Sequence, residues 1–161
     1  PENVMINVDD DIVKIIDFGG IHYANEQSKI YLKGSPAYLS PNYINKAFTY
    51  IELNKTIDIW SYGIILYLFI HGVGFWKKNL SHTNIVDIES LKTFIQSNNV
   101  VKKIERNCSS FPVIKKIMLL CCKQTSNERI PIDSIIELLN PTIEQSRNPI
   151  NMFSSNEEDQ F

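Results

Sequence analysis

A disulfide scaffold needs cysteines in pairable number and spacing, and this chain has only Cys108, Cys121 and Cys122, two of them adjacent. No C-x-x-C occurs, and His22, His71 and His82 stand at no metal-ligand spacing from the cysteines or from one another. A disulfide framework and a zinc site are both set aside, which leaves three reduced thiols in a cytosolic protein. Excess charge is missing too. The formal net charge is -2, so no overall basic field exists for nucleic acid or anionic lipid, and neither partner is expected. The chain opens Pro1-Glu2-Asn3-Val4 without an initiator Met or an apolar signal sequence, and is expected to be a piece of something longer. No internal repeat is visible. What is present is ordinary for a globular domain: 43% hydrophobic and 21% charged residues.

Val4-Met5-Ile6 and Ile12-Val13-Lys14-Ile15-Ile16 are short β-branched runs around a turn cluster of Asn7, Asp9, Asp10 and Asp11. They predict a hairpin. From Asp17 to about Tyr43 no period is sustained, which predicts a long loop of the kind that carries function. Leu91, Phe94 and Ile95 predict a short helix. Val113 to Cys122 places Val113, Ile114, Ile117, Met118 and Cys121 on one helical face. Ile132, Ile135, Ile136 and Leu139 repeat the pattern after Pro131, a residue suited to a first helical turn. A hairpin, a long loop and then helices exclude a doubly wound sheet. The tail from Ser146 is polar, ends near Glu157-Glu158-Asp159, and is expected to be disordered.

Ile59 to Trp76 carries no formal charge apart from a protonatable His71. By length alone it is a borderline membrane span; the alternative is a helix buried on all sides of a globular core. Ser61, Gly63, His71, Gly72 and Gly74 lower its insertion tendency.

Asp17-Phe18-Gly19 follows the second strand directly. A carboxylate leaving a strand into a glycine turn can hold Mg²⁺ on nucleotide phosphates, because Mg²⁺ takes one or two carboxylates and fills its shell with phosphate oxygens. Alone the triplet is weak, and a plain turn aspartate explains it as well. Pro1-Glu2-Asn3 lies one hairpin upstream, however. A hairpin brings its two ends together, so the Asn3 amide oxygen and the Asp17 carboxylate can face one cation.

Four further features follow in order: Gly34-Ser35-Pro36-Ala37-Tyr38-Leu39-Ser40-Pro41, then Asn42, then Asp58-Ile59-Trp60-Ser61-Tyr62-Gly63, then Arg129. Together these resemble the large lobe of a eukaryotic-type Ser/Thr protein kinase. Pro1-Glu2-Asn3 resembles the end of the catalytic loop, and Asp17-Phe18-Gly19 the metal-binding triplet. Gly34 to Asn42 resembles the substrate-facing loop and the end of the activation segment. Asp58, Trp60, Ser61 and Gly63 resemble the start of the central helix. The resemblance covers residues 1–141, with 142–161 as the polar tail. It implies an α+β kinase-like fold: a mainly helical large lobe, a small β-hairpin at its N-terminal edge, and the N-terminal lobe absent. Kinases bury their central helix where the apolar stretch lies, so the membrane reading gives way.

The resemblance also implies roles. ATP and Mg²⁺ would be the cofactors, with Asn3 and Asp17 on the metal and Met5 and Ile16 beside the adenine and the metal aspartate. Ser35 would offer its hydroxyl toward the catalytic aspartate, which lies upstream of Pro1. Asp58 would hold the catalytic-loop backbone; a plain helix N-cap explains it otherwise. Ser28 and Tyr31 would be phosphosites. Arg129 would meet the residue closing the activation segment, and that residue is Asn42 where the family has Glu. A neutral hydrogen bond would then replace an ion pair. Gln124-Thr125 stands for the usual Asp-Pro, and Gly20 for a bulkier residue. Without the helix that precedes the catalytic loop, Ile64, Leu66, Leu68 and Phe69 are expected to be partly uncovered. The expected function is a piece of a cytoplasmic kinase, the nucleus left open. The complete enzyme would move the ATP γ-phosphoryl to Ser or Thr of a protein substrate, with the piece alone inactive. The alternative is a pseudokinase or regulatory scaffold that acts by binding.

Overall fold

The structure, a computed structural model, describes residues 1–24, 27–29, 35–45, 50–72, 88–108 and 110–147. The chain begins with a hairpin. Strands β1 (Val4–Asn7) and β2 (Ile12–Ile15) pair antiparallel, Val4 opposite Ile15 and Asn7 opposite Ile12. The turn is built by its own side chains: Asn7 Nδ2 donates to Asp10 Oδ2 at 2.6 Å, and the Asp9 amide donates to Asn7 Oδ1 at 3.1 Å. Asp11 closes it with a left-handed φ of 53°, a conformation that short polar side chains tolerate.

The segment read from sequence as one long loop has structure of its own. Strand β3 (Gln27–Lys29) pairs antiparallel with β4 (Tyr50–Glu52). A 3₁₀ turn at Pro36–Tyr38 and the short helix α1 (Pro41–Asn45) lie between them. These pieces are too short and too distant from their partners to show a period.

Helix α2 (Thr56–His71) is the centre of the molecule. Trp60 and Ile64 are wholly buried, and Ile59, Gly63 and Tyr67 are buried beside them. Helix α5 (Pro112–Cys121) packs on it through Ile117, Met118 and Cys121. Gly63 sets the closeness of that packing: a Cβ there would meet Cys121 Cβ at 2.7 Å and Cys122 Sγ at 2.8 Å. Glycine costs a helix interior about 1 kcal/mol relative to alanine, a cost that the close approach of α5 offsets. Helices α3 (Ile88–Gln96), α4 (Asn99–Asn107) and α6 (Ile132–Arg147) complete the core with Leu91, Ile95, Val100, Ile104 and Ile135.

The apolar stretch ends as a helix at His71. Gly72 takes a left-handed φ of 63° and donates its amide to Leu68 O at 2.8 Å, an ordinary glycine C-cap. Among the described residues no helix is long and apolar enough to cross a membrane; residues 73–76 of the stretch lie outside them. Ile64, expected to be partly uncovered, is buried in the cluster with Trp60, Ile117 and Met118. Phe69, at 55% exposure, is uncovered, and Leu66 and Leu68 are half-buried. Helix α6 continues through residues 142–147, which the sequence reading gave to the tail; the remainder of that tail lies outside the described residues.

Candidate functional site: the base of the hairpin

The hairpin decides which of the sequence-predicted residues can act together. The Ile16 amide donates to Asn3 O at 2.9 Å, one step beyond the Val4–Ile15 pair, so the ladder extends to Asn3 and Ile16. Opposed residues share a face of a sheet, and side chains alternate along each strand. Asn3, Met5 and Ile16 therefore lie on one face, and Asp17 leaves at its end. All four are exposed.

At Asp17 the backbone turns sharply, with a left-handed φ of 62°. The Gly19 amide donates to Asp17 Oδ1 at 3.2 Å, and a Cβ on Gly19 would stand 3.3 Å from that oxygen. The turn is thus held by the carboxylate itself, and Gly19 keeps room for it. The amide oxygen of Asn3 and the carboxylate of Asp17 are hard oxygen donors of the kind Mg²⁺ takes, with phosphate oxygens and water completing its shell. Among the described residues no group of three or more His, Cys, Asp and Glu side chains could cage a metal. The donor set therefore suits a cation shared with a ligand. Met5 and Ile16 add apolar surface next to it, 53% and 42% exposed.

The 3₁₀ turn at Pro36–Tyr38 is tied to the core through α2. Ser61 Oγ donates to Tyr38 O at 2.8 Å, which fixes the 3₁₀ turn on α2. Burial pushes the Tyr38 hydroxyl up, and the charge of Glu2 adds to the effect. Ser35, exposed, starts this turn; its carbonyl accepts the Tyr38 amide at 3.1 Å and its hydroxyl makes no capping bond. From sequence, Ser61 is part of a motif and a polar break in the apolar stretch. Its hydroxyl could be noticed there, but not the distant carbonyl that it meets.

Asp58 is not an N-cap. Helix α2 starts two residues earlier, and Asn54 Oδ1 accepts the Thr56 amide at 3.0 Å in the capping manner, with the Thr56 hydroxyl also on that oxygen. Asp58 sits in the first turn, exposed, and what burial it has pushes its carboxyl up. Among the described residues no donor reaches it.

Arg129 is 4% exposed and binds three elements. Nε donates to Lys123 O at 2.9 Å, Nη1 to Thr56 O at 2.8 Å, and Nη2 to Asn42 Oδ1 at 3.0 Å and Gln124 O at 3.3 Å. Its guanidinium lies 5.3 Å from the Trp60 ring centre. No carboxylate among the described residues pairs with it, and burial lowers its pKa to about 10. Of the expected phosphosites, Ser28 lies on β3 opposite Ile51, its side chain outside the described residues; Tyr31 lies outside them altogether.

Comparison with known proteins bears on the family. The sequence profile of the Protein kinase domain matches residues 1–139. Human myosin light chain kinase 2, skeletal/cardiac muscle, is 36% identical over 75 residues, which are 45% of this chain and 12% of that protein. Calcium-dependent protein kinase 21 of Arabidopsis thaliana is 34% identical over 84 residues, 49% of this chain and 15% of the relative. Serine/threonine-protein kinase plk-1 of Caenorhabditis elegans is 32% identical over 123 residues, 71% of this chain and 18% of the relative. The chain thus spans only 12% to 18% of the length of these three relatives. With a mostly helical body, a small antiparallel hairpin and a family match over most of its length, the chain belongs to the protein kinase family and carries a fragment of that domain.

Proposed function

We propose that this chain is part of a Ser/Thr protein kinase that transfers the γ-phosphoryl of ATP to a Ser or Thr hydroxyl of a protein substrate. The observation that supports this most is the hairpin ladder, which sets Asn3 and Asp17 at one end of the face that carries Met5 and Ile16. Bound there, Mg²⁺ would neutralise charge on the phosphate oxygens. Asn3 and Asp17 supply oxygens to the ion, and the turn at Gly19 holds the Asp17 carboxylate in place. Met5 and Ile16 offer an apolar floor to the adenine. Ser35 would offer its hydroxyl toward the catalytic aspartate, and Asp58 would accept hydrogen bonds from the backbone of the catalytic loop. Residues 1–161 contain no His-Arg-Asp and no Gly-rich phosphate loop, so the fragment alone is proposed to be inactive. Three buried, reduced thiols suit a cytoplasmic setting.

The test begins with the transcript upstream of Pro1, which should encode a His-Arg-Asp loop, a Gly-rich strand pair and a Lys. In the protein so encoded, Asp17→Ala should lower phosphoryl transfer by about a thousandfold or more. Full activity in that variant, or a transcript without the Asp of that loop, would refute the reading. A second reading, a lobe that acts by binding, is favoured by Asn42 in the place of the family's carboxylate. Its mark would be a complete protein that folds, binds partners and shows no stabilisation by Mg–ATP.

A further inference from the structure

The charge of this chain is unevenly laid out. Five of its sixteen Lys and Arg side chains, but only one of its eighteen Asp and Glu, fall between Asn99 and Cys121, the span of α4 and α5. On α4, buried Val100 and Ile104 mark the inward stripe, which Cys108 continues. At about 3.6 residues per turn, Lys102 and Arg106 lie opposite that stripe, stacked one turn apart. Like charges at this spacing disfavour the helix that carries them, so the pairing opposes local stability. On α5, Lys115 and Lys116 lie away from buried Ile117, Met118 and Cys121. Lys115 reaches across to α4, its Nζ donating to Glu105 O at 2.8 Å, which brings one α5 cation onto α4.

Among the described residues no carboxylate pairs with Lys102, Arg106, Lys115 or Lys116; Lys92 with Glu89 is the nearby pair. Lys102 instead donates to Ser97 O, and Arg106 to Asn107 Oδ1. Phe111, just before α5, is 51% exposed, and Val113, in its first turn, is 36% exposed. A single exposed apolar residue is ordinary. An exposed aromatic beside the start of one of two packed helices whose cations meet no carboxylate has the composition of an interface with an anionic partner.

We propose that the α4–α5 face is a docking surface for an acidic peptide segment of a protein partner. Its carboxylates meet Lys102, Arg106, Lys115 and Lys116, and an apolar side chain of the segment packs on Phe111. Charge selects this occupant over a membrane or a nucleic acid. Elsewhere in the chain carboxylates outnumber cations, so an extended anionic surface meets repulsion around the patch, whereas a short segment fits inside it. The inference does not depend on the proposed catalysis, since no residue of the hairpin takes part.

The test uses the 161-residue chain and a fluorescein-labelled peptide of alternating Glu and Phe, with a Gln-for-Glu peptide as control. Anisotropy should show salt-sensitive binding of the acidic peptide and binding of the control weaker by about tenfold or more. The double variant Lys102→Glu, Arg106→Glu should lose about tenfold in affinity, and Phe111→Ser less, with unchanged thermal unfolding because all three side chains are exposed. Lys116→Glu on the other helix gives an independent variant should the double one not fold. Equal binding of both peptides, full affinity in the charge-reversed variants, or tighter binding of phosphatidylserine vesicles or single-stranded DNA at the same salt would each overturn the proposal.

Discussion

Arg129 holds Asn42 through one hydrogen bond, Nη2 to Oδ1 at 3.0 Å, and so ties α1 to the turn before α6 without an opposing charge. The guanidinium is buried and its other donors go to carbonyls. Burial without a counter-charge is why its pKa falls to about 10.

Asn42→Glu should therefore stabilise the fold. A charged acceptor at the same place strengthens the bond and offsets the buried cation, for a gain of about 1–2 kcal/mol. Urea denaturation would show a higher midpoint with an unchanged slope. The same substitution in an Arg129→Met background should give no gain. A gain that survives loss of Arg129 would show that the carboxylate acts elsewhere.

Gly63→Ala should destabilise, against the usual preference of helices for alanine. The added methyl would stand 2.7 Å from Cys121 Cβ and 2.8 Å from Cys122 Sγ, and overpacking of this kind costs about 1–3 kcal/mol. Pairing it with Cys122→Ala should recover part of the loss. A Gly63→Ala chain with raised thermal stability would mean that α2 and α5 separate at no cost.

Asp17→Gly should leave stability within about 1 kcal/mol of the original, because relief of the left-handed φ offsets the lost bond from the Gly19 amide. In the complete protein it should abolish stabilisation by Mg–ATP in a thermal-shift assay. Stability without ligand response separates a residue kept for chemistry from one kept for folding.

Alkaline pH should unfold the chain early. Burial raises Cys121 to about 12 and pushes Cys122 higher still. A raised folded pKa means that the unfolded state releases the proton first, so this stability is complete below the ordinary thiol value and is lost as pH climbs from about 9 toward 12. Arg129 acts in the opposite sense: its lowered pKa makes the buried charge a cost at neutral pH that fades as pH passes about 10. Two thiols against one guanidinium leave a net fall. Urea midpoints across this range should drop steeply, and the variant Cys121→Ala, Cys122→Ala should show a flatter drop even if it is weaker at pH 7. Equal slopes would assign the alkaline limit to other groups.

The hairpin and the helical order were legible because β-branched alternation and a 3–4-residue apolar spacing are local signals. The pairing of Asn3 with Ile16 at the base of the hairpin was legible for the same reason, since a hairpin fixes which ends meet. Helix α4 was missed: its inward stripe of Val100, Ile104 and Cys108 is narrow and diluted by Lys102, Lys103, Glu105 and Arg106. Strands β3 and β4 were missed because each is three residues long and its partner is remote in sequence. Arg129 was singled out for one side-chain partner, yet most of its bonds go to backbone carbonyls, which every residue carries and no sequence marks. The alternative reading of Asp58 as an N-cap fails because Asn54, itself a favoured capping residue four positions earlier, takes that role.

The hairpin exposes apolar side chains on both faces, Met5 and Ile12 on one, Ile6, Val13 and Ile15 on the other. An isolated two-stranded ribbon is marginal in water. Asn3 and Asp17 share an end only while the ribbon is closed, so under the proposed function the pair's apparent affinity for a nucleotide-bound cation would be its intrinsic affinity scaled by the closed fraction. A surface laid over those faces would touch neither oxygen donor and would still raise occupancy, because it would act on how much of the time the site exists.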